Sequence, residues 1–229
     1  MSSSPLILAV DTDDLDIAKR WVATTSEYIG VFKLGLEFFL KFGISGVQAI
    51  KSETDKDLFL DLKLHDIPNT VAKSAAQLRE IDPLFLTVHA SGGKEMIGAA
   101  SKALPNTKIT AVTILTSLDS FDLNEIGFIG TSQQRAAEMA KFASAAGARA
   151  IVCSPQEIAS VRQVIPTDVQ IITPGVRPLS STSSDDQKRT MDPKSAIVAG
   201  ANYLVIGRPI TQAEHMLRAA KEIFTEVMN

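Results

Sequence analysis

Apolar residues fall along this chain in short runs that alternate with stretches of helical period. Eight runs read as strands: Leu6–Val10, Val31–Leu34, Leu58–Leu62, Leu84–Val88, Lys108–Leu115, Ala150–Cys153, Val169–Thr173 and Tyr203–Ile206. Each is short and nearly continuous, the pattern of a strand buried on both faces of a parallel sheet. The clearest helix lies at the end of the chain. There Ala213, Met216, Leu217, Ala220, Ile223, Phe224 and Val227 form one stripe at 3.6-residue spacing. Gln133–Ala146 carries Ala136, Met139, Ala140 and Ala143 on one face, with Gly147 as its stop. Asn69 and Thr70 stand where a cap should precede a helix through Leu78, and a short helix is expected near Lys194–Ala199. Eight strand–helix units predict an α/β fold, a single-domain (β/α)8 TIM barrel over residues 1–229. The competing open, doubly wound sheet lacks its G-x-G-x-x-G signature after the first strand. The polar run from Ser180 through Arg189 predicts a mobile lid at about 178–190 rather than a domain boundary.

The most informative run is Leu58-Phe-Leu-Asp-Leu-Lys-Leu-His-Asp-Ile67. In a strand, residues two apart point the same way, so Phe59, Asp61 and Lys63 share one face and the leucines take the other. Asp66 follows just beyond. Charges are costly to take out of water, so such an arrangement marks either chemistry or a structural ion-pair network. Active sites of these barrels form at the C-terminal ends of the strands. The polar residues collect there: Asp11, Lys33, Asp61, Lys63, His89, Thr116, Ser117, the stretch Pro174-Gly-Val-Arg177, and Gly207-Arg208. Strands two and three are barrel neighbours, so Lys33 can approach Asp61 and Lys63. With Asp66 the set forms a balanced chain of two positive and two negative charges, and its place at the mouth favours function. Gly175 with Arg177 and Gly207 with Arg208 flank the last two strands, where a phosphate can sit on backbone N–H groups and guanidinium forks. Either pair alone is as well explained by turn chemistry.

Composition narrows the classes. The chain has 229 residues, 45% hydrophobic, enough for one sizeable core. A net charge of −3 with mixed signs argues against a broad nucleic-acid surface. No apolar run is long enough for a membrane span, and Met1-Ser-Ser-Ser-Pro5 lacks the regions of a secretion signal, so a cytoplasmic location is expected. Cys153 is the single cysteine, which removes intramolecular disulfides and cysteine-cluster metal sites; in its apolar strand it reads as a small core residue. His89 reads as a satisfied polar residue at the mouth, His65 as a local partner and His215 as a solvated helix residue. No His or carboxylate cluster has metal-ligand spacing.

These residues together resemble the orotidine 5′-phosphate decarboxylase family. The resemblance runs from Leu8-Ala-Val-Asp11 to Gly207-Arg-Pro-Ile210, through Phe32-Lys-Leu-Gly35, Asp61-Leu-Lys-Leu-His-Asp-Ile-Pro-Asn-Thr70, Val88-His-Ala-Ser-Gly-Gly93, Leu115-Thr-Ser117, Thr173-Pro-Gly-Val-Arg-Pro178 and Asp185-Asp-Gln187. It implies decarboxylation of orotidine 5′-phosphate to UMP and CO2, with no metal and no organic cofactor. By the same resemblance Lys63 is the proton donor to C6 and Asp61 sits beside the substrate carboxylate. Lys33 orients Asp61 and contacts the ribose, and Asp11 binds a ribose hydroxyl. Asp66 and Thr70 reach into the neighbouring site of a homodimer. Ile67, Thr116, Ser117 and Pro174 join the substrate pocket, while Arg177, Gln187, Gly207 and Arg208 hold the phosphate. Two alternatives remain open: a metal-dependent sugar-phosphate decarboxylase or aldolase sharing the Asp-x-Lys-x-x-Asp core, and a non-catalytic nucleotide-phosphate-binding barrel.

Overall fold

The computed structural model describes residues 4–177 and 191–229. Eight parallel strands close into a barrel in chain order: β1 (Leu6–Ala9), β2 (Val31–Gly35), β3 (Asp57–Leu64), β4 (Phe85–His89), β5 (Lys108–Val112), β6 (Ala150–Val152), β7 (Gln170–Thr173) and β8 (Tyr203–Ile206). β1 pairs with β8, Leu6 opposite Leu204, which completes the ring. The helices are α1 (Leu15–Thr25), α2 (Leu36–Lys51), α3 (Pro68–Ala76), α4 (Gly93–Ala103), α5 (Ser120–Glu125), α6 (Ser132–Ala145), α7 (Ile158–Arg162), α8 (Pro193–Val198), α9 (Arg208–Thr211) and α10 (Met216–Met228). This is the expected (β/α)8 barrel. No helix among the described residues is long and apolar enough to cross a membrane.

The two faces of each strand separate the core into two layers. Ile7, Val31, Phe59, Phe85, Ala150 and Ile172 fill the barrel interior. Phe59 and Phe85 meet edge to face at 5.6 Å, and Phe85 meets Tyr203 at 5.3 Å. The alternate residues, among them Leu6, Leu8, Leu58 and Leu60, pack outward against the helices. Above the aromatic layer the interior turns polar, and there the site is built.

Local signals explain most helix starts. Asp14 caps α1 by accepting from Ile17 N at 2.9 Å, and Thr131 with Gln134 forms a reciprocal cap on α6. The expected cap at Asn69 or Thr70 is displaced: Ile67 takes the N-cap position of α3 and Pro68 the first turn. Proline suits that place because its fixed φ is already helical and the donor it lacks would have no partner there. The fifth strand is also shorter than its apolar run, ending at Val112. Beyond it Leu118 N donates to Leu115 O at 3.1 Å, closing a turn around Thr116 and Ser117. The expected lid at 178–190 and Gln187 lie outside the described residues.

Candidate active site

The mouth of the barrel opens into a cavity of about 760 Å³, of the size that takes a nucleotide-sized ligand. Asp11, Lys33, Asp61, Lys63, Thr116, Pro174, Arg177, Gly207 and Arg208 all line it. β2 and β3 set its charged wall. Lys33 Nζ lies 3.0 Å from Asp11 Oδ1 and 3.7 Å from Asp61 Oδ2. Lys63 Nζ donates to Asp61 Oδ1 at 2.8 Å. The result is an alternating row, Asp11–Lys33–Asp61–Lys63, running from β1 to β3. Gly35 makes room for it, since a Cβ there would stand 3.1 Å from Asp11 Oδ1 and 3.4 Å from Lys33 Nζ.

The row is graded in exposure. The side chains of Lys33 and Asp61 are 9% and 15% exposed, those of Lys63 and Asp11 38% and 57%. The buried pair is therefore the electrostatic anchor, and the outer members meet the cavity. Burial of Lys33 works against its charge, but Asp11 and Asp61 outweigh it and hold its pKa above the usual value. Burial likewise opposes the Asp61 carboxylate, and Lys33 and Lys63, with hydrogen bonds from Lys63 and Thr87, hold its pKa below the ordinary range. Both groups are charged at neutral pH.

β3 does not reach Lys63 as a regular strand. Leu60 pairs with Leu86 and Leu64 with Val88, so four steps of β3 oppose two of β4. Lys63 absorbs the excess with a left-handed backbone, φ 48°. For a residue with a Cβ this conformation costs on the order of 1 kcal/mol, and it aims the side chain into the mouth at a bulge. Thr87, fully buried on β4, fills the gap. Its hydroxyl accepts from Lys63 N at 2.8 Å and donates to Asp61 Oδ1 at 3.0 Å. The sequence reading did not single out Thr87. Its only signal was a polar residue in the otherwise apolar stretch Phe85-Leu-Thr-Val-His89, on the inward alternation that also carries Phe85.

Across the barrel, Gly175 has φ 78°, which glycine adopts without strain, and the chain then brings Arg177 to the cavity. Arg177 N donates to Met191 O at 3.0 Å, beside the bridge that pairs Val176 with Met191. Gly207, at the N-cap position, and Arg208 stand at the start of α9, just past the adjoining strand β8.

Among the described residues, four of the predicted ones do not line this chain's cavity. Asp66, Ile67 and Thr70 are exposed at the start of α3, with Asp66 Oδ1 accepting from Ile67 N at 2.6 Å. Asp66 therefore stands apart from the ion-pair row of its own chain, and its carboxylate is engaged locally at the N-terminus of α3. Ser117 is exposed as well, because it shares the tip of a turn with Thr116 and only Thr116 faces inward. His65 and His89 pair with ring centroids 5.4 Å apart, and burial first, then His65 and Lys63, lowers the pKa of His89. Cys153 is buried and burial raises its thiol pKa, which fits a core residue.

Comparison with known proteins decides the family. The orotidine 5′-phosphate decarboxylase / HUMPS family matches residues 4–223. The chain belongs to this family. It is 46% identical over 225 residues to orotidine 5′-phosphate decarboxylase of Thermobifida fusca, covering 98% of this chain and 96% of that protein. Against the enzyme of the same name from Sphingopyxis alaskensis it is 46% identical over 222 residues, covering 96% and 98%. The crystal structure of orotidine 5′-phosphate decarboxylase from Lactobacillus acidophilus superposes with a TM-score of 0.85 at 32% identity, over 99% of this chain and 100% of that one. Membership places the protein among the decarboxylases, a class of carboxy-lyases.

Proposed function

We propose that the protein converts orotidine 5′-phosphate to UMP and CO2, the UMP-forming step of pyrimidine biosynthesis, in the cytoplasm and without a metal or organic cofactor. The observation that carries this reading is the Lys63 ammonium, 2.8 Å from a carboxylate that Lys33 and Thr87 also hold, at the edge of a cavity with Arg177 and Arg208 on its far side. When the bond from C6 to the carboxylate breaks, its electron pair stays on C6 in the plane of the ring, where the π system delocalises it poorly. With no cofactor as electron sink, a fixed positive charge has to stabilise that pair. Lys63 supplies the charge and then its proton, which bonds to C6 and completes UMP; the amine regains a proton from water. Asp61 stands beside the departing carboxylate, and their repulsion is relieved as CO2 leaves.

The remaining residues bind. Arg177, Gly207 and Arg208, joined by Gln187, take the phosphate. Asp11 and Lys33 take ribose hydroxyls, and Thr116 and Pro174 lie along the pyrimidine. Energy from the phosphate grip organises the charged row without touching C6. The exposure of Asp66, Ile67 and Thr70 supports a homodimer in which they complete the neighbouring site. Ile67, 66% exposed beside a charged residue, is an apolar side chain that a second copy would cover.

The metal-dependent reading fits these residues less well. Both oxygens of Asp61 already face ammonium groups, so a divalent ion there would have to displace Lys33 or Lys63. The test follows the ultraviolet absorbance of orotidine 5′-phosphate with purified protein in EDTA. Full turnover is expected. Activity lost in EDTA and restored by Mg²⁺ points to the metal-dependent class, and UMP binding without turnover points to a binding barrel.

A further inference from the structure

Resting on the decarboxylase reading, we propose that Thr87 is a positioning residue for the reaction: its hydroxyl ties the Asp61 carboxylate to the backbone of Lys63 and so fixes the proton donor against its partner. Thr87 does not line the cavity and is fully buried behind Asp61, so it acts through other residues. The bulge in β3 removes Lys63 N–H from the regular ladder, and the Thr87 oxygen satisfies it at 2.8 Å. The same hydroxyl then has one proton to give, and gives it to Asp61 Oδ1 at 3.0 Å. That oxygen also receives Lys63 Nζ at 2.8 Å. A closed circuit results: Lys63 backbone to Thr87, Thr87 to Asp61, Asp61 to the Lys63 ammonium. Three contacts hold one flexible lysine whose backbone is already strained at φ 48°. Precision of this order governs rate, since a displacement of about 1 Å can cost roughly 100-fold.

Two substitutions separate positioning from packing. Thr87→Val keeps the branched volume and removes the hydroxyl; Thr87→Ser keeps the hydroxyl and removes the methyl. Thr87→Val should lower kcat by about 10–100-fold, the scale of a lost hydrogen bond to a charged group. UMP affinity should change by less than about threefold, because the loss falls on the transition state. The acid limb of the kcat profile should move to higher pH as Asp61 loses a donor to its ionised form. Lys33 from β2, Lys63 from β3 and His89 from β4 also face Asp61, with Asp11 on the far side of Lys33, and all are unchanged in the variant. A limb shift that Thr87→Ser reverses therefore reads the missing hydroxyl. Thr87→Ser should recover kcat to within about threefold of wild type. Wild-type kcat in Thr87→Val, a loss confined to UMP affinity, or Thr87→Ser no better than Thr87→Val each overturns the proposal. If Thr87→Val does not fold, Thr87→Cys, with similar volume and a weak donor, must lower kcat at least about fivefold at retained Tm, and wild-type kcat there overturns it too. A wild type inert toward orotidine 5′-phosphate defeats the decarboxylase reading and this inference together, whereas an active wild type with an unaffected Thr87→Val defeats this inference alone.

Discussion

Replacing Lys33 by methionine tests the charged row at its buried centre. The substitution keeps most of the apolar stem and removes the ammonium between Asp11 and Asp61. At 3.7 Å from Asp61 and an effective dielectric of about 20, that one attraction is roughly 4 kcal/mol. Several effects reduce the net loss. Burial of the ammonium no longer has to be overcome, Asp61 keeps Lys63 and Thr87, and Asp11, 57% exposed, is well hydrated. A loss of about 2 kcal/mol in stability is expected, which for a chain of this size lowers Tm by about 4–8 °C. The dependence on pH follows from the two shifts. Asp61 is held below its ordinary 3.8, so its share of stability is complete above that value and is lost as pH falls through the lowered folded pKa. Lys33 is held above its ordinary 10.5, so its share is complete below that value and is lost as pH rises through the raised folded pKa. The Tm gap between wild type and Lys33→Met should therefore be flat from about pH 5 to about pH 10 and narrow at both ends. On turnover, loss of the orienting charge should lower kcat/KM by about 100-fold, read from the absorbance of orotidine 5′-phosphate. A Tm gap below about 1 °C at neutral pH, with kcat/KM within about threefold of wild type, would refute the reasoning.

Lys63→Ala should abolish turnover, by at least about 10⁴-fold, while circular dichroism and Tm stay near wild type, since in the proposed mechanism it removes both the charge and the acid. Arg208→Ala should lower kcat/KM strongly although the proposed binding mode sets it far from C6, and wild-type kcat/KM there would remove the phosphate grip from the mechanism. In a randomly mixed preparation of Lys63→Ala and Asp66→Asn chains, heterodimers would carry one intact site each, so activity should recover to about a quarter of wild type. No recovery on mixing would place Asp66 in its own chain's site, and Asp66→Asn chains active by themselves would place it outside any site.

The strands were legible because parallel strands buried on both faces leave nearly continuous apolar runs, and all eight lie within the runs read, or within a residue or two of them. The ion-pair row was legible for a related reason. Asp61 and Lys63 stand two apart in an apolar strand, and barrel order brings Lys33 alongside. The bulge was hidden, because nothing in Leu62-Lys-Leu64 announces a left-handed lysine. That conformation is imposed by pairing with β4 and held by a residue distant in sequence. Thr87 was hidden with it, since threonine is an ordinary strand former and only the register shift gives its hydroxyl two partners. The start of α3 was misplaced because Asn69 and Thr70 are strong capping types, yet Pro68 dictates the first turn.

The pairing of β1 with β8 has a consequence for biosynthesis. Asp11 follows the first barrel strand and Arg208 the eighth, and they share a rim only when Leu6 has met Leu204. A nascent chain cannot hold a working site until β8 has left the ribosome. Until then β1 offers an unpaired edge, a template for association with other chains. Chains released before β8 should therefore aggregate rather than survive as partially active barrels. Closure of the ring by β8 and onset of catalysis are, in this architecture, the same event.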